Sequence, residues 1–178
     1  KMKIIFIGDI VGKPGREALK YRLNFLKDEF SPDVIVVNGE NAASGYGLTE
    51  KIANELFSLG IDVITLGNHS WDQREMLSYI ESCSKIIRPL NYPKGVPGKG
   101  DYKILLEDGR SVIVIQVMLR LFMGILLDDP FFAINERLKS EILGSTCNSI
   151  IIDMHGEATS EKNAFGFYVD GKVTAVLG

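Results

Sequence analysis

The sequence lacks several features that would assign it to whole classes of protein. Its only two cysteines, Cys83 and Cys147, lack the spacing of a metal or redox motif, so both thiols are predicted to be reduced and structural. The net charge is −3, which argues against a duplex nucleic-acid partner held by a broad basic surface. No run approaches the roughly 20 apolar residues of a membrane helix, and Asp9 interrupts the first apolar run too early for a signal peptide. We therefore expect a cytoplasmic globular protein with no membrane partner.

In the first half of the chain, short apolar runs alternate with amphipathic segments. The runs have the length and Ile/Val content of strands buried on both faces, and the segments between them show helical spacing of leucines. Strands are predicted at 2–8, 33–38 and 62–66, and helices at about 14–29, 49–59 and 72–79, the last two capped by Thr49 and Asp72. This alternation predicts parallel strands with right-handed crossovers.

The second half of the chain has a different pattern. Two Asp-Gly turns predict antiparallel hairpins, because that dipeptide favours tight turns between strands. The hairpins are predicted at 102–116 and 165–177, with a helix at about 130–143 and a buried strand at 149–153 between them. The class is therefore α/β with a mixed sheet, or with two sheets packed together. We expect a single domain over residues 1–178, incomplete at its C-terminus because Gly178 directly follows an apolar run.

Each buried strand is followed by a turn with unusual polar content. In parallel sheets, ligands bind beyond the carboxyl ends of the strands, so these turns are expected to converge. They contribute the carboxylates Asp9 and Glu40, amides including Asn68, and the only two histidines of the chain, His69 and His155. Asp9, Asn68 and either histidine alone also have a structural explanation, such as a turn, a helix cap or a surface histidine. Glu40 is different, because a carboxylate that follows a buried run needs a partner or water. The joint occurrence of these residues predicts a metal site.

The predicted site suits phosphoester chemistry. Oxygen ligands with a minority of imidazoles favour Mn, Fe or Zn. Two divalent ions held by Asp9 and Glu40 keep a residual positive charge, which attracts phosphate and lowers the pKa of a shared water. Glu40 can bridge both ions. His69, which follows Asn68 directly, can act as a general acid on the leaving oxygen or can hydrogen-bond a metal ligand.

Four segments together resemble a known family. GDIVGKPGR, NGENAASGYGLT, LGNHSWD and DMHGEATSEK are similar to the YmdB-type branch of the calcineurin-like metallophosphoesterases, and the resemblance runs from Lys3 to Gly178. It implies a metallophosphatase-like sandwich of two mixed β-sheets flanked by α-helices. It also implies a bacterial cytoplasmic phosphodiesterase for 2′,3′-cyclic nucleotides, with two divalent or mixed-valence ions of Fe, Mn or Zn. His69 would be the catalytic acid or phosphate partner, and the metal ligands would be Asp9, Glu40, Asn41, Asn68 and His155, with Glu40 bridging.

The sequence departs from the family pattern at two places. The family continues past its final strand with a Gly-Thr-His-Thr-His type motif, and the present sequence stops at the Gly, so two expected ligands are not within it. A family segment of the type N-x-x-G-R-x-F-M has lost its Asn and Gly here but keeps its later residues, including Arg120. Arg120 could reach phosphate, or it could be a solvated or structural arginine.

Two alternative functions stay open beside the diesterase. They are a phosphomonoesterase on the same metal centre and a non-catalytic metal- or nucleotide-binding regulatory protein. The resemblance also leaves a homo-oligomer open.

Overall fold

Two compact units make up the chain in the computed structural model, which describes residues 1–125 and 127–178. The first unit is Lys1–Ile86 and the second is Ile87–Gly178. In the described residues, five helices accompany two four-stranded sheets. The elements in chain order are β1 (Ile4–Ile7), α1 (Gly12–Phe30), β2 (Val34–Asn38), α2 (Glu50–Ser58), β3 (Val63–Thr65), α3 (Met76–Ser82), β4 (Ile86–Ile87), β5 (Asp101–Leu105), β6 (Ser111–Met118), α4 (Pro130–Leu138), β7 (Ser149–His155), α5 (Thr159–Val169) and β8 (Ala175–Leu177). The predicted α/β class is confirmed, while the single domain remains a prediction.

The sheet of the first unit has the strand order β1-β2-β3-β4. The pairs β1–β2 and β2–β3 are parallel, as the alternation of strands and helices predicts. Every residue of β2 is buried, whereas β1 is only partly buried because it is an edge strand. The prediction that β1 is buried on both faces is therefore wrong. The core of this unit is made by side chains of the sheet together with Leu19 and Leu23 of α1 and Ala53 and Leu56 of α2.

The sheet of the second unit has the order β5-β6-β7-β8 and is mixed. Strands β5 and β6 form the predicted antiparallel hairpin, with Leu105 opposite Ser111. The pairs β6–β7 and β7–β8 are parallel. All of β6 is buried, and so is β7 apart from its last residue, His155. β7 is therefore a buried strand whose carboxyl end carries the polar, partly exposed residue His155.

The second predicted hairpin is wrong. Residues 159–169 form helix α5, and β8 pairs parallel with β7 instead of antiparallel with its chain neighbour. Phe165 and Val169, which lie four residues apart, are both fully buried, whereas Phe167 is exposed. That spacing places the two buried side chains on one helical face. Packing of this face outweighs the strand preference of the aromatic residues, and Gly171 (φ 74°) turns the chain after the helix.

Three predicted helix ends can be compared with the structure. Thr49 caps α2 as predicted, since its Oγ1 accepts a hydrogen bond from the N–H of Ile52 at 3.2 Å. Helix α3 begins at Met76 instead of Asp72, whose carboxylate has another partner. Helix α4 ends at Leu138 instead of residue 143. The predicted capping is therefore right for Thr49 and wrong for Asp72.

Both cysteines are free thiols, as the sequence predicts. Burial raises the pKa of the Cys147 thiol, and a buried protonated thiol behaves as a small apolar side chain. Among the helices of residues 1–125 and 127–178, none combines the length and apolar character needed to cross a bilayer.

Candidate metal centre

The first unit brings three of the predicted turns to one edge of its sheet. Strands β1, β2 and β3 run parallel, so their carboxyl ends share that edge. The turns that follow these strands carry Asp9, Glu40, Asn41, Asn68 and His69. The structure therefore assembles this part of the predicted set within one compact unit.

Asp9 and Asn41 are in direct contact. The Nδ2 of Asn41 donates a hydrogen bond to Oδ2 of Asp9 at 2.9 Å. The backbone supports this contact, because the N–H of Gly12 donates to the carbonyl of Asn41 at 2.9 Å and the N–H of Ile10 donates to that of Asn38 at 3.2 Å. The first turn is thus bonded to the second along its length, and the Asn41 amide orients the Asp9 carboxylate.

Glu40 is a buried carboxylate, only 1% exposed. Its Oε2 accepts a hydrogen bond from the backbone N–H of His69 at 3.3 Å. A Cβ placed on Gly67 would lie 2.2 Å from the same oxygen, so the carboxylate occupies the space that any side chain at position 67 would fill. Asn68 lies between Gly67 and His69, the two residues of the third turn that adjoin this carboxylate. The second and third turns therefore meet at Glu40.

The His69 imidazole is held by a neighbouring carboxylate. Its Nδ1 lies 2.6 Å from Oδ2 of Asp72. The sequence interpretation missed this role and assigned Asp72 to a helix cap. The His-x-x-Asp spacing within a turn is the signal that could have found it, because such turns bring residues three apart together. With Nδ1 bound by Asp72, Nε2 is the ring nitrogen left for another group.

His155, the remaining predicted ligand, is the last residue of β7 in the second unit. It pairs with Met118 of β6. Two residues earlier, on the same strand face, Asp153 is buried and accepts a hydrogen bond from Nε2 of Gln116 at 3.1 Å. Ligation of a metal by His155 stays a prediction.

Arg120 follows β6 in the second unit and is exposed. Its backbone N–H donates to both carboxylate oxygens of Glu161, at 3.0 and 3.1 Å, and the N–H of Leu121 donates to one of them at 2.9 Å. Glu161 lies in the first turn of α5, so the backbone at Arg120 is anchored to that helix. Phosphate binding by the guanidinium stays a prediction.

The donor set of the first unit fits a divalent cation by its chemistry. No three side chains of the His, Cys, Asp and Glu types form a metal-binding group in residues 1–125 and 127–178. The strand-end turns instead offer the carboxylates of Asp9 and Glu40 with the amides of Asn41 and Asn68. Carboxylate and amide oxygens are ligands for hard and borderline divalent metals. A buried carboxylate such as Glu40 is also a group that proteins stabilise by pairing or by metal coordination.

Two solved structures resemble the chain closely. A crystal structure of a hypothetical protein from Thermus thermophilus matches with a TM-score of 0.90 at 40% identity, covering 99% of this chain and 67% of that one. A crystal structure described as a novel phosphatase from Mycoplasma pneumoniae matches with a TM-score of 0.88 at 32% identity, covering 97% and 62%. The chain is therefore an α/β protein of the metallophosphatase-like class that its sequence predicts.

Sequence comparison narrows this class to one family. The family described as YmdB-like protein matches residues 5–178, and the chain belongs to it. A Bacillus subtilis (strain 168) relative named 2′,3′-cyclic-nucleotide 2′-phosphodiesterase is 46% identical over 177 residues, which cover 99% of this chain and 66% of the relative. The chain thus spans just under two thirds of that relative's length.

Proposed function

We propose that the protein is a metal-dependent phosphodiesterase that hydrolyses a small phosphodiester, a 2′,3′-cyclic nucleotide, with water activated by two divalent cations. The observation that carries the proposal is the joining of three strand-end turns through Asp9, Asn41, Glu40 and the backbone of His69. The name of the Bacillus subtilis relative supports the substrate class. We further propose a cytoplasmic bacterial enzyme, consistent with its free thiols.

The proposed metal ligands are the residues that the sequence singles out. Asp9, Glu40, Asn41 and Asn68 of the first unit would hold cations, which are Fe, Mn or Zn. Metal ligation by His155 of the second unit is a separate part of the proposal. When bound, the cations supply Lewis acidity and a water that ionises near neutral pH. The protein positions the ligands beforehand, because Asn41 fixes the Asp9 carboxylate and the backbone of His69 fixes the carboxylate of Glu40.

His69 is proposed to handle the proton of the leaving group. The carboxylate of Asp72 accepts from Nδ1 at 2.6 Å and sets the orientation of the ring. The proton exchanged with the substrate is then carried by Nε2, which can donate it to the leaving oxygen as a general acid. Asp72 acts through His69 and is therefore a positioning residue.

Substitution of Glu40 tests the proposal. Hydrolysis of bis-p-nitrophenyl phosphate and Mn²⁺ uptake by calorimetry would be compared for the wild type, Glu40→Gln and Glu17→Gln. Glu17 is an exposed residue of α1 and serves as the matched control. We expect Glu40→Gln to lower turnover by about 100-fold or more and to weaken Mn²⁺ binding, because an amide replaces a charged ligand. Equal turnover and equal Mn²⁺ affinity in the two variants would contradict the proposal.

A phosphomonoesterase is the second candidate function. The Mycoplasma pneumoniae neighbour is described as a phosphatase, and both reactions can use the same donor set. The kcat/KM values for p-nitrophenyl phosphate and bis-p-nitrophenyl phosphate, measured on one Mn²⁺-loaded preparation, separate the two. A larger value for the monoester would favour this second function.

A further inference from the structure

An exposed aromatic ring stands beside the candidate catalytic histidine. Tyr46 is 62% exposed, although it belongs to the turn segment between β2 and α2 that also carries Glu40 and Asn41. Its ring meets the His69 ring edge-on, with the centroids 5.5 Å apart and an interplanar angle of 89°. Tyr46 is therefore largely exposed to solvent next to the imidazole.

The backbone under this ring is well anchored. The N–H of Tyr46 donates to the carbonyl of Ala43 at 3.1 Å, and the N–H of Ala43 donates to the carbonyl of Gly47 at 2.9 Å. From the third turn, Nε2 of Gln73 donates to the carbonyl of Tyr46 at 2.7 Å. Gly47 has a positive φ of 77°, and a Cβ there would lie 3.2 Å from the carbonyl oxygen of His69. A side chain at position 47 would be strained by this φ and would crowd the third turn, so the glycine lets the two turns pack closely.

The position of the ring suits a nucleobase. Exposure of a large aromatic face contributes little to folding, whereas an aromatic face stacks on any base. In a 2′,3′-cyclic nucleotide, the base and the phosphodiester are attached to neighbouring carbons of one ribose. If His69 lies about 3 Å from the leaving oxygen, a ring centred 5.5 Å from the imidazole centroid lies within roughly 10 Å of that oxygen. A base stacked on the ring can therefore belong to the same ribose as the phosphodiester.

We propose that Tyr46 is a specificity-determining residue that stacks on the base of the nucleotide substrate. The inference rests on the proposed phosphodiesterase function and adds to it a preference for nucleoside over simple cyclic phosphodiesters. The stacking surface is the ring itself, so Phe replaces Tyr46 without loss and Ala does not.

The test compares two cyclic phosphodiesters, one with a base and one without. Adenosine 2′,3′-cyclic phosphate and glycerol 1,2-cyclic phosphate are hydrolysed by Mn²⁺-loaded wild type, Tyr46→Ala, Tyr46→Phe and Tyr21→Ala. Tyr21 is an 81% exposed tyrosine of α1 and is the matched control. Tyr46→Ala should raise KM for the nucleotide about tenfold, with KM for the glycerol ester unchanged. Tyr46→Phe and Tyr21→Ala should match the wild type on both substrates.

The dissociation constant of adenosine 3′-monophosphate, measured by calorimetry, provides a readout without turnover and should rise by the same factor in Tyr46→Ala. Equal changes of KM for the two substrates, or none for the nucleotide, would overturn the inference and leave the phosphodiesterase standing. If the wild type hydrolyses neither ester, the proposed function fails, and the inference fails with it.

Discussion

Replacement of Gly67 by Ala is expected to perturb the carboxylate of Glu40 selectively. No positive φ is involved at Gly67, so the backbone accepts alanine and only the neighbours of the new methyl group matter. The added Cβ would lie 2.2 Å from Oε2, 2.6 Å from Cδ and 2.9 Å from Oε1 of Glu40. These three nearest atoms all belong to this one carboxylate. The substitution therefore moves a candidate metal ligand without changing its chemistry.

The size of the effect follows from the distances. Contacts of a Cβ under 3.0 Å are essentially never found, so Oε2 at 2.2 Å has to retreat by about 0.8 Å. Glu40 is 1% exposed, and its displacement weakens the hydrogen bond from the backbone of His69. Overpacking of a buried site costs about 1–3 kcal/mol of unfolding free energy. A catalytic group misplaced by about 1 Å loses about 100-fold in turnover.

Three measurements check this prediction. Urea unfolding, Mn²⁺ calorimetry and turnover of bis-p-nitrophenyl phosphate would be compared for Gly67→Ala and Gly166→Ala. Gly166 lies in α5, where an added Cβ meets nothing within 4 Å, so alanine there should leave metal binding unchanged and should slightly stabilise the helix. The double variant Gly67→Ala/Glu40→Asp should recover part of the lost stability, because aspartate is one methylene shorter. Wild-type stability, metal affinity and turnover in Gly67→Ala would refute the reasoning.

Three further predictions test other parts of the molecule. Asp72→Asn should lower kcat roughly tenfold or more with little change in KM, because His69 loses the carboxylate that orients it; steady-state kinetics on one diester checks this, and a change confined to KM would count against it. Thr49→Ala should cost about 1 kcal/mol in urea unfolding through the loss of the α2 cap, and an unchanged midpoint would show that the cap is dispensable. Gly100→Ala should destabilise by at least about 1–3 kcal/mol, since its Cβ would lie 2.3 Å from the Cα of Leu90; a thermal melt equal to the wild type would contradict it.

The elements predicted correctly are those whose pattern is local. The strands at 33–38 and 62–66 are apolar runs bounded by polar residues, and β2 and β3 lie within these bounds. The Asp-Gly turn of the first hairpin lies between two segments rich in Ile, Val and Leu, and β5 and β6 pair there. The second Asp-Gly turn follows a helix instead. Local turn chemistry cannot distinguish these cases, because the deciding contact is the burial of Phe165 and Val169 against the sheet.

In the candidate site, too, some features can be predicted from the sequence and others depend on the folded structure. That Asp9, Glu40 and Asn68 follow parallel strands is readable from the sequence, since strand direction alone brings them to one edge. The partner of His69 is not readable in the same way. Asp72 is equally suited to capping a helix, and only the actual start of α3 at Met76 leaves it for the imidazole. Side-chain pairing within a turn depends on backbone angles that composition does not determine.

Two glycines in the site turns exclude a side chain for different physical reasons. A Cβ on Gly39 would meet apolar atoms, at 2.9 Å from Cγ2 of Ile64 and 3.7 Å from Cδ1 of Leu48, so that position is closed by core packing. A Cβ on Gly67 would meet the carboxylate of Glu40 instead. The first glycine lets β2 enter its turn close to β3, and the second leaves room for a charged group at the edge of the core. A buried carboxylate needs compensation that apolar packing cannot give. The backbone N–H of His69 supplies part of it, and the ligand role proposed for Glu40 would add to it.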